Sequence, residues 1–197
     1  MPKRIAVLSD THGLLRPEVL TAIDGCDAII HGGDINKPEI IERLQEIAPV
    51  YVVRGNNDKA WADHIPATLT FQIEDCRFFL VHNKKEVPKD LTGIDAVIFG
   101  HSHKYFEQII DGRLWLNPGS CGKRRFDQEI TLAILTVDGG TLSAHDKGKP
   151  LPIVAMPEHG IGRRLRPGVF PLGTVDFRDI AFQFRPVHSA SSSSASR

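Results

Sequence analysis

The chain repeats one arrangement: a short apolar run ends on a residue able to bind a metal ion. Ile5-Ala6-Val7-Leu8-Ser9 leads into Asp10-Thr11-His12. Ala28-Ile29-Ile30-His31-Gly32-Gly33 leads to Asp34, and Val50-Tyr51-Val52-Val53-Arg54-Gly55 leads to Asn56. Phe78-Phe79-Leu80-Val81 leads to His82, and Ala96-Val97-Ile98-Phe99-Gly100 leads to His101-Ser102-His103. Continuous apolar runs of roughly four to eight residues read as strands buried on both faces. Binding sites of α/β sheets lie outside the carboxyl ends of the strands. Ligands placed directly after each run therefore converge on one crevice. A glycine ahead of the ligand lets the backbone turn sharply and approach an ion closely.

The 197 residues suffice for one sizeable domain with its own core. Formal net charge is zero, so no broad field draws nucleic acid or an anionic membrane. No uninterrupted apolar stretch approaches the length of a membrane span. Met1-Pro2-Lys3-Arg4 runs straight into a strand without an apolar signal core, which predicts a cytoplasmic protein. Cys26, Cys76 and Cys121 are odd in number and unrelated in spacing. They read as buried free thiols, not as a disulfide framework or a zinc-thiolate site.

The first half alternates strand and helix. Strands are expected at 5–9, 28–31 and 50–54. Helices are expected at 17–23, with Pro17 suited to the first turn, and at 38–47, where Ile40, Ile41, Leu44 and Ile47 form a stripe. This β-α-β-α-β order predicts a parallel sheet with right-handed crossovers. The second half reads as antiparallel: hairpins over 68–82, 105–116 and 130–145, the second turning at Asp111-Gly112 and the third at Asp138-Gly139-Gly140. A further buried strand is expected at 96–99. Two packed sheets with helices outside follow from this. From Gly148 the texture becomes Pro- and Gly-rich, and Ser189–Arg197 is almost all Ser and Ala. Residues 1–147 are read as one domain and 148–197 as a partly disordered extension.

Imidazole, carboxylate and amide oxygen together suit Mn, Fe, Zn or Ni better than Ca. One ion needs three or four protein ligands. Asp10, His12, Asp34, Asn56, His82, His101 and His103 are too many for one ion and fit two that share a carboxylate. Asp34 is the natural bridge, since its two oxygens can be divided between ions. Two ions roughly 3.5–4 Å apart can activate a water and clamp both oxygens of an in-line displacement, which suits phosphoester hydrolysis.

Asp10-x-His12, Gly33-Asp34, Gly55-Asn56-x-Asp58, His82 and Gly100-His101-x-His103 resemble the ordered motif set of calcineurin-like metallophosphoesterases. The small single-domain bacterial and archaeal phosphodiesterases match best, and Asn117-Pro118-Gly119-Ser120 resembles a motif they carry after the last histidine pair. The resemblance runs from about Ile5 to His145. It implies a four-layer α-β-β-α sandwich and a division of ligands. Asp10, His12, Asp34 and His103 would hold one ion; Asp34, Asn56, His82 and His101 would hold the other. Mn2+ is the first expectation, with Ni2+, Zn2+ and Fe2+ as alternatives. His12, Asp34 and Asn56 are the expected catalytic residues, with His12 close to the developing charge.

Two positions depart from the family pattern. Many members carry His after the motif Asn, where it protonates the leaving group; here that residue is Asn57. Its place makes Asn57 a candidate substrate contact. Asn83 follows His82, where Gly or an acid is common. Lys123-Arg124-Arg125 offers Arg124 and Arg125 for bidentate phosphate recognition, against the alternative of a solvated basic loop. Other singled-out residues have plainer readings. His31 is expected as a packed strand histidine, and Asp58 as an orienter of the Asn56 loop. His64 and His145 are expected at the surface or in packing, and Trp61 and Trp115 in the core or at its rim. The resulting expectation is a two-metal phosphodiesterase acting on a small phosphodiester. No membrane or nucleic-acid partner is expected, and a homodimer is left open. The rivals are a metal-binding interaction scaffold, as in a eukaryotic retromer subunit of this fold, and a nuclease of the same superfamily, which zero net charge disfavours.

Overall fold

The computed structural model describes residues 1–124 and 128–145. The expected extension at 148–197, its boundary and Arg125 lie outside the described residues. The order is β1 (Lys3–Leu8), α1 (Pro17–Ala22), β2 (Ala28–His31), α2 (Pro38–Gln45), β3 (Val50–Val52), a 3-10 turn (Ala60–Ala62), β4 (Thr68–Ile73) and β5 (Cys76–Val81). A second 3-10 turn (Lys84–Glu86), β6 (Ala96–Ile98), β7 (Tyr105–Ile110), β8 (Arg113–Pro118), β9 (Ala133–Asp138) and β10 (Thr141–His145) complete it.

The strands form two five-stranded sheets, ordered β10-β9-β1-β2-β3 and β4-β5-β6-β8-β7. β1, β2 and β3 are parallel, as the alternation of strand and helix demands. All three expected hairpins form. The second half is nevertheless not antiparallel throughout, because β5, β6 and β8 pair in parallel. Hairpin signals describe only strands adjacent in sequence. The continuous apolar character of Phe78–Val81 and Ala96–Phe99 was the better guide, since doubly buried parallel strands carry such runs. The last hairpin also leaves the second sheet, and β9 pairs antiparallel with β1.

Strand alternation sorts the core into three slabs. Ala6, Leu8 and Ile29 face α1 and α2, while Ile5, Val7, Ala28 and Ile30 face the other sheet. Phe78, Leu80, Ala96 and Ile98 meet them from the second sheet, and Phe79, Val81, Val97 and Phe99 point outward. Helix α2 has eight residues and no side-chain cap at Lys37, so it is marginal by itself. Burial of Ile40, Ile41 and Leu44 contributes roughly 1.5–3 kcal/mol each and holds it in place. The outer face of the second sheet is covered by the Lys84–Glu86 turn together with Val87, Leu91 and Ile94. Among the described residues the α-β-β-α order holds with its last layer reduced to one turn and a loop. No helix among the described residues is long and apolar enough to cross a membrane.

Candidate metal centre

The carboxyl ends of β1, β2, β5 and β6 meet at one edge of the sandwich. Gly100 N donates to His82 O at 2.9 Å and Gly32 N to Leu8 O at 2.8 Å, so the loops that follow these strands are laced together. The Asp10 and Asp34 loops are zipped by three further backbone bonds: Asp10 N to Gly33 O, His12 N to Asp34 O and Gly13 N to Ile35 O, at 3.0, 2.9 and 2.8 Å. Asp10, His12, Asp34, His101 and His103 all adopt left-handed backbone, with φ of 55°, 47°, 55°, 69° and 57°. Asp and His tolerate this region better than most residues. Strain of about 1–3 kcal/mol per residue persists only where surroundings over-determine it, and such sites cluster at functional loops.

The loops bring one ligand atom each from Asp10, His12, Asp34 and His103 to within 4.8 Å of one another. Asp10, His12 and Asp34 are buried and His103 is half-buried. Asp10 Oδ2 accepts from Ser9 Oγ at 2.6 Å and from His101 N at 3.1 Å. Its Oδ1 is buried with no hydrogen-bond partner among the described residues. His103 Nε2 lies 3.2 Å from that oxygen and His12 Nε2 lies 3.7 Å from it. His12 Nε2 and His103 Nε2 are themselves 3.2 Å apart. A bare carboxylate oxygen and two converging imidazole nitrogens, held out of water, are costly unless a cation joins them. The donor set of carboxylate and imidazole suits a first-row divalent ion.

A second group stands at the mouth. Asn56 Oδ1 lies 3.1 Å from His82 Nε2 and 2.9 Å from His101 Nδ1. His82 Nδ1 is 2.7 Å from Gly32 O. A backbone carbonyl there fixes the proton on Nδ1 and turns Nε2 toward Asn56 and Asp34, the usual outer support of a metal-ligating histidine. Asp34 belongs to both groups: its Oδ2 is 3.7 Å from His12 Nε2 and its Oδ1 is 3.5 Å from His82 Nε2. Asp34 thus stands between the two groups, and the deeper one, of carboxylates and imidazoles, fits a divalent ion.

The electrostatics agree with this arrangement. Burial works against an ionised Asp34, but the hydrogen bond and charge of His82 and two bonds from Asn57 outweigh it and hold the carboxyl well below the usual carboxylate range. Burial likewise works against a charged His82, and Asp34 overrides it and raises the imidazole pKa. Asp34 is thus an anion already surrounded by positive poles.

A model of the calcineurin-like phosphoesterase superfamily domain matches residues 4–140. This chain belongs to the calcineurin-like phosphoesterases. A probable metallophosphoesterase of Methanothermobacter thermautotrophicus is 33% identical over 154 residues, 71% of this chain and 89% of the relative. A solved archaeal phosphodiesterase superposes with a TM-score of 0.61 at 25% identity, covering 72% of this chain and 98% of its own. Vps29 of Chaetomium thermophilum shares the fold, with a TM-score of 0.60 at 16% identity over 73% of this chain and 95% of its own.

The remaining expected residues of this phosphoesterase fall as follows. Asn57 donates from its backbone N to Asp34 Oδ1 at 2.8 Å and from Nδ2 to Asp34 Oδ2 at 2.6 Å. Asp58 orients backbone: its Oδ1 accepts from Ile35 N and Asn36 N, and its Oδ2 from Gly55 N. Arg124 is exposed, two residues past Gly122, at which a Cβ would collide with Thr11 O. His31 is buried, His64 is exposed, and Trp61 and Trp115 are half-buried. Lys84 Nζ stands 4.3 Å from the centre of the Phe106 ring, a cation–π contact on the outer face.

Several supporting residues escaped sequence reasoning. Buried Asn117 donates from Nδ2 to Gly100 O at 2.7 Å and Ser102 Oγ at 3.0 Å, and its Oδ1 accepts from Gly119 N at 2.9 Å. Ser120 Oγ donates to Asp10 O at 2.9 Å. The Asn117-Pro118-Gly119-Ser120 motif was visible in the sequence, but its task was not: it braces both the Asp10 loop and the His101–His103 loop. Ser9 carried no signal beyond its place before Asp10.

Proposed function

We propose that this chain is a binuclear, metal-dependent phosphodiesterase. The observation that carries the reading is Asp34, shared between a buried donor set and one at the crevice mouth. When bound, two divalent ions, Mn2+ foremost, would supply an activated water for in-line attack on phosphorus and charge for the developing oxyanion. Asp10, His12, Asp34 and His103 would hold the deeper ion, and Asp34, Asn56, His82 and His101 the outer one. Asn56 and His101 are exposed, so substrate would arrive on their side. His12 borders both sets and would face the reacting phosphate. Asn57 already donates to an anionic oxygen, and its amide would offer the same donor to a phosphoryl oxygen. Arg124 and Arg125 would grip the non-reacting part of the diester. The Asn57 amide is no general acid at neutral pH, so the reading favours diesters with good leaving groups.

The test strips the protein of metal and adds Mn2+, Ni2+, Zn2+ or Mg2+ back singly. Hydrolysis of a bis-aryl phosphodiester and of an aryl phosphomonoester is then followed. Metal-dependent turnover, higher on the diester and lost in Asp34→Asn, is expected. The shared fold of Vps29 supplies a second reading, a metal-binding scaffold. Two bound ions without turnover on either ester would favour it.

A further inference from the structure

His31 is buried at the carboxyl end of β2, three residues before Asp34, and neither donor set contains it. Its side chain lies beneath both deep ligand loops. Nδ1 accepts from Gly33 N at 3.2 Å, and Nε2 lies 3.2 Å from Thr11 Oγ1. Because a backbone N–H can only donate, Nδ1 carries the lone pair and Nε2 carries the proton. Nε2–H therefore donates to Thr11 Oγ1, whose own proton is directed to Ile35 O at 3.5 Å. Thr11 stands between the ligands Asp10 and His12, and Gly33 directly precedes Asp34. One imidazole thus bridges the two loops that carry three of the four deep donors. Those donors sit in left-handed backbone, a conformation that relaxes unless it is held. Burial drives the His31 pKa down to about 4 against the pull of Asp10 and Asp34, so the bridge is neutral and adds no charge that would repel a cation.

We propose that His31 is a positioning residue of the metal centre, a neutral imidazole that ties Thr11 to Gly33 and so holds Asp10, His12 and Asp34 at coordinating distance before an ion arrives. The inference rests on the two-metal reading above. Outer-shell partners of metal ligands typically carry 10–100-fold in affinity, and a bridge behind two loops acts through several ligands at once.

The two ends of the bridge are separable. His31→Asn keeps an acceptor near the Nδ1 position for Gly33 N. His31→Gln keeps a donor near the Nε2 position for Thr11. His31→Leu keeps bulk and loses both. Thr11→Val removes the far partner without touching position 31. Mn2+ binding to the metal-stripped full chain by calorimetry is the readout, with thermal melting of the metal-free proteins beside it. The expected result is about 10-fold or more weaker Mn2+ binding in His31→Leu and Thr11→Val, with partial recovery in His31→Asn or His31→Gln. The recovery must appear among variants matched in melting temperature, which a merely structural role would not produce. Wild-type binding with all four variants within twofold overturns this inference alone. Affinity losses that only follow melting temperature, with no recovery by Asn or Gln, also overturn it. Wild-type protein that takes up no Mn2+ overturns the metal reading itself.

Discussion

Asn117→Ala is the sharpest probe of how the fold supports the crevice. The Asn117 side chain is fully buried and makes three hydrogen bonds, to Gly100 O, Ser102 Oγ and Gly119 N. Truncation leaves the Gly119 amide short of a partner inside the protein, while the Gly100 carbonyl keeps its bond from Ser102 N at 2.8 Å. Each buried polar group left unmade costs about 1–3 kcal/mol; Ser102 is exposed and is satisfied by water. A loss of about 1–3 kcal/mol follows, or a melting temperature lower by roughly 2–12 °C for a chain of this size. The same bonds fix the loop of His101 and His103, so Mn2+ affinity should also fall, by about 10–100-fold. Urea unfolding of the metal-free protein reads the first effect and calorimetric titration reads the second. A variant of wild-type stability would refute the hydrogen-bond account. A variant that loses stability yet binds Mn2+ as before would refute the claim that Asn117 braces the ligand loop.

Gly100→Ala places a Cβ against Ser9 Oγ and 2.8 Å from Asp10 Oδ2; it should displace the Asp10 carboxylate and abolish tight binding of the first ion, measured by metal content after dialysis. Gly55→Ala should act likewise through Asp34, since its Cβ would fall on that carboxylate. His31 gives stability a pH dependence. Its folded pKa is about 4 against 6.5 for the free group, so the unfolded chain takes up the proton first. Its contribution is complete above about pH 6.5 and declines as pH falls toward 4, reaching a loss of about 2 kcal/mol by pH 5. Urea midpoints of the metal-free protein at pH 7 and pH 5 should show this slope, and His31→Asn should lack it.

The crevice was legible because each candidate ligand follows its own apolar run, and runs of that kind end at one edge of a sheet. Asp10, Asp34, Asn56, His82 and the His101–His103 pair all stand where that rule puts them. What the sequence hid depends on contacts between distant segments. Ser120 reaches Asp10 across 110 positions, and Asn117 meets Gly100 only because β6 and β8 are neighbours. The parallel pairing of β5, β6 and β8 was missed for a related reason. Turn residues report on adjacent strands, whereas sheet order is decided by which faces must be buried together. The reduced fourth layer also left no periodic signal, since Val87, Leu91 and Ile94 cover the outer face from a loop. Asn57 stood out as a departure from a pattern; that its amide rests on Asp34 needed coordinates.

Counting ions per chain tests the central claim most directly. Wild-type protein loaded with Mn2+ and freed of excess by gel filtration should carry two ions per chain by elemental analysis, and Asp34→Asn, which weakens both sites at once, should retain fewer than one. A single tightly held ion in the wild type, or two ions still bound after Asp34→Asn, would contradict a centre built around a shared Asp34.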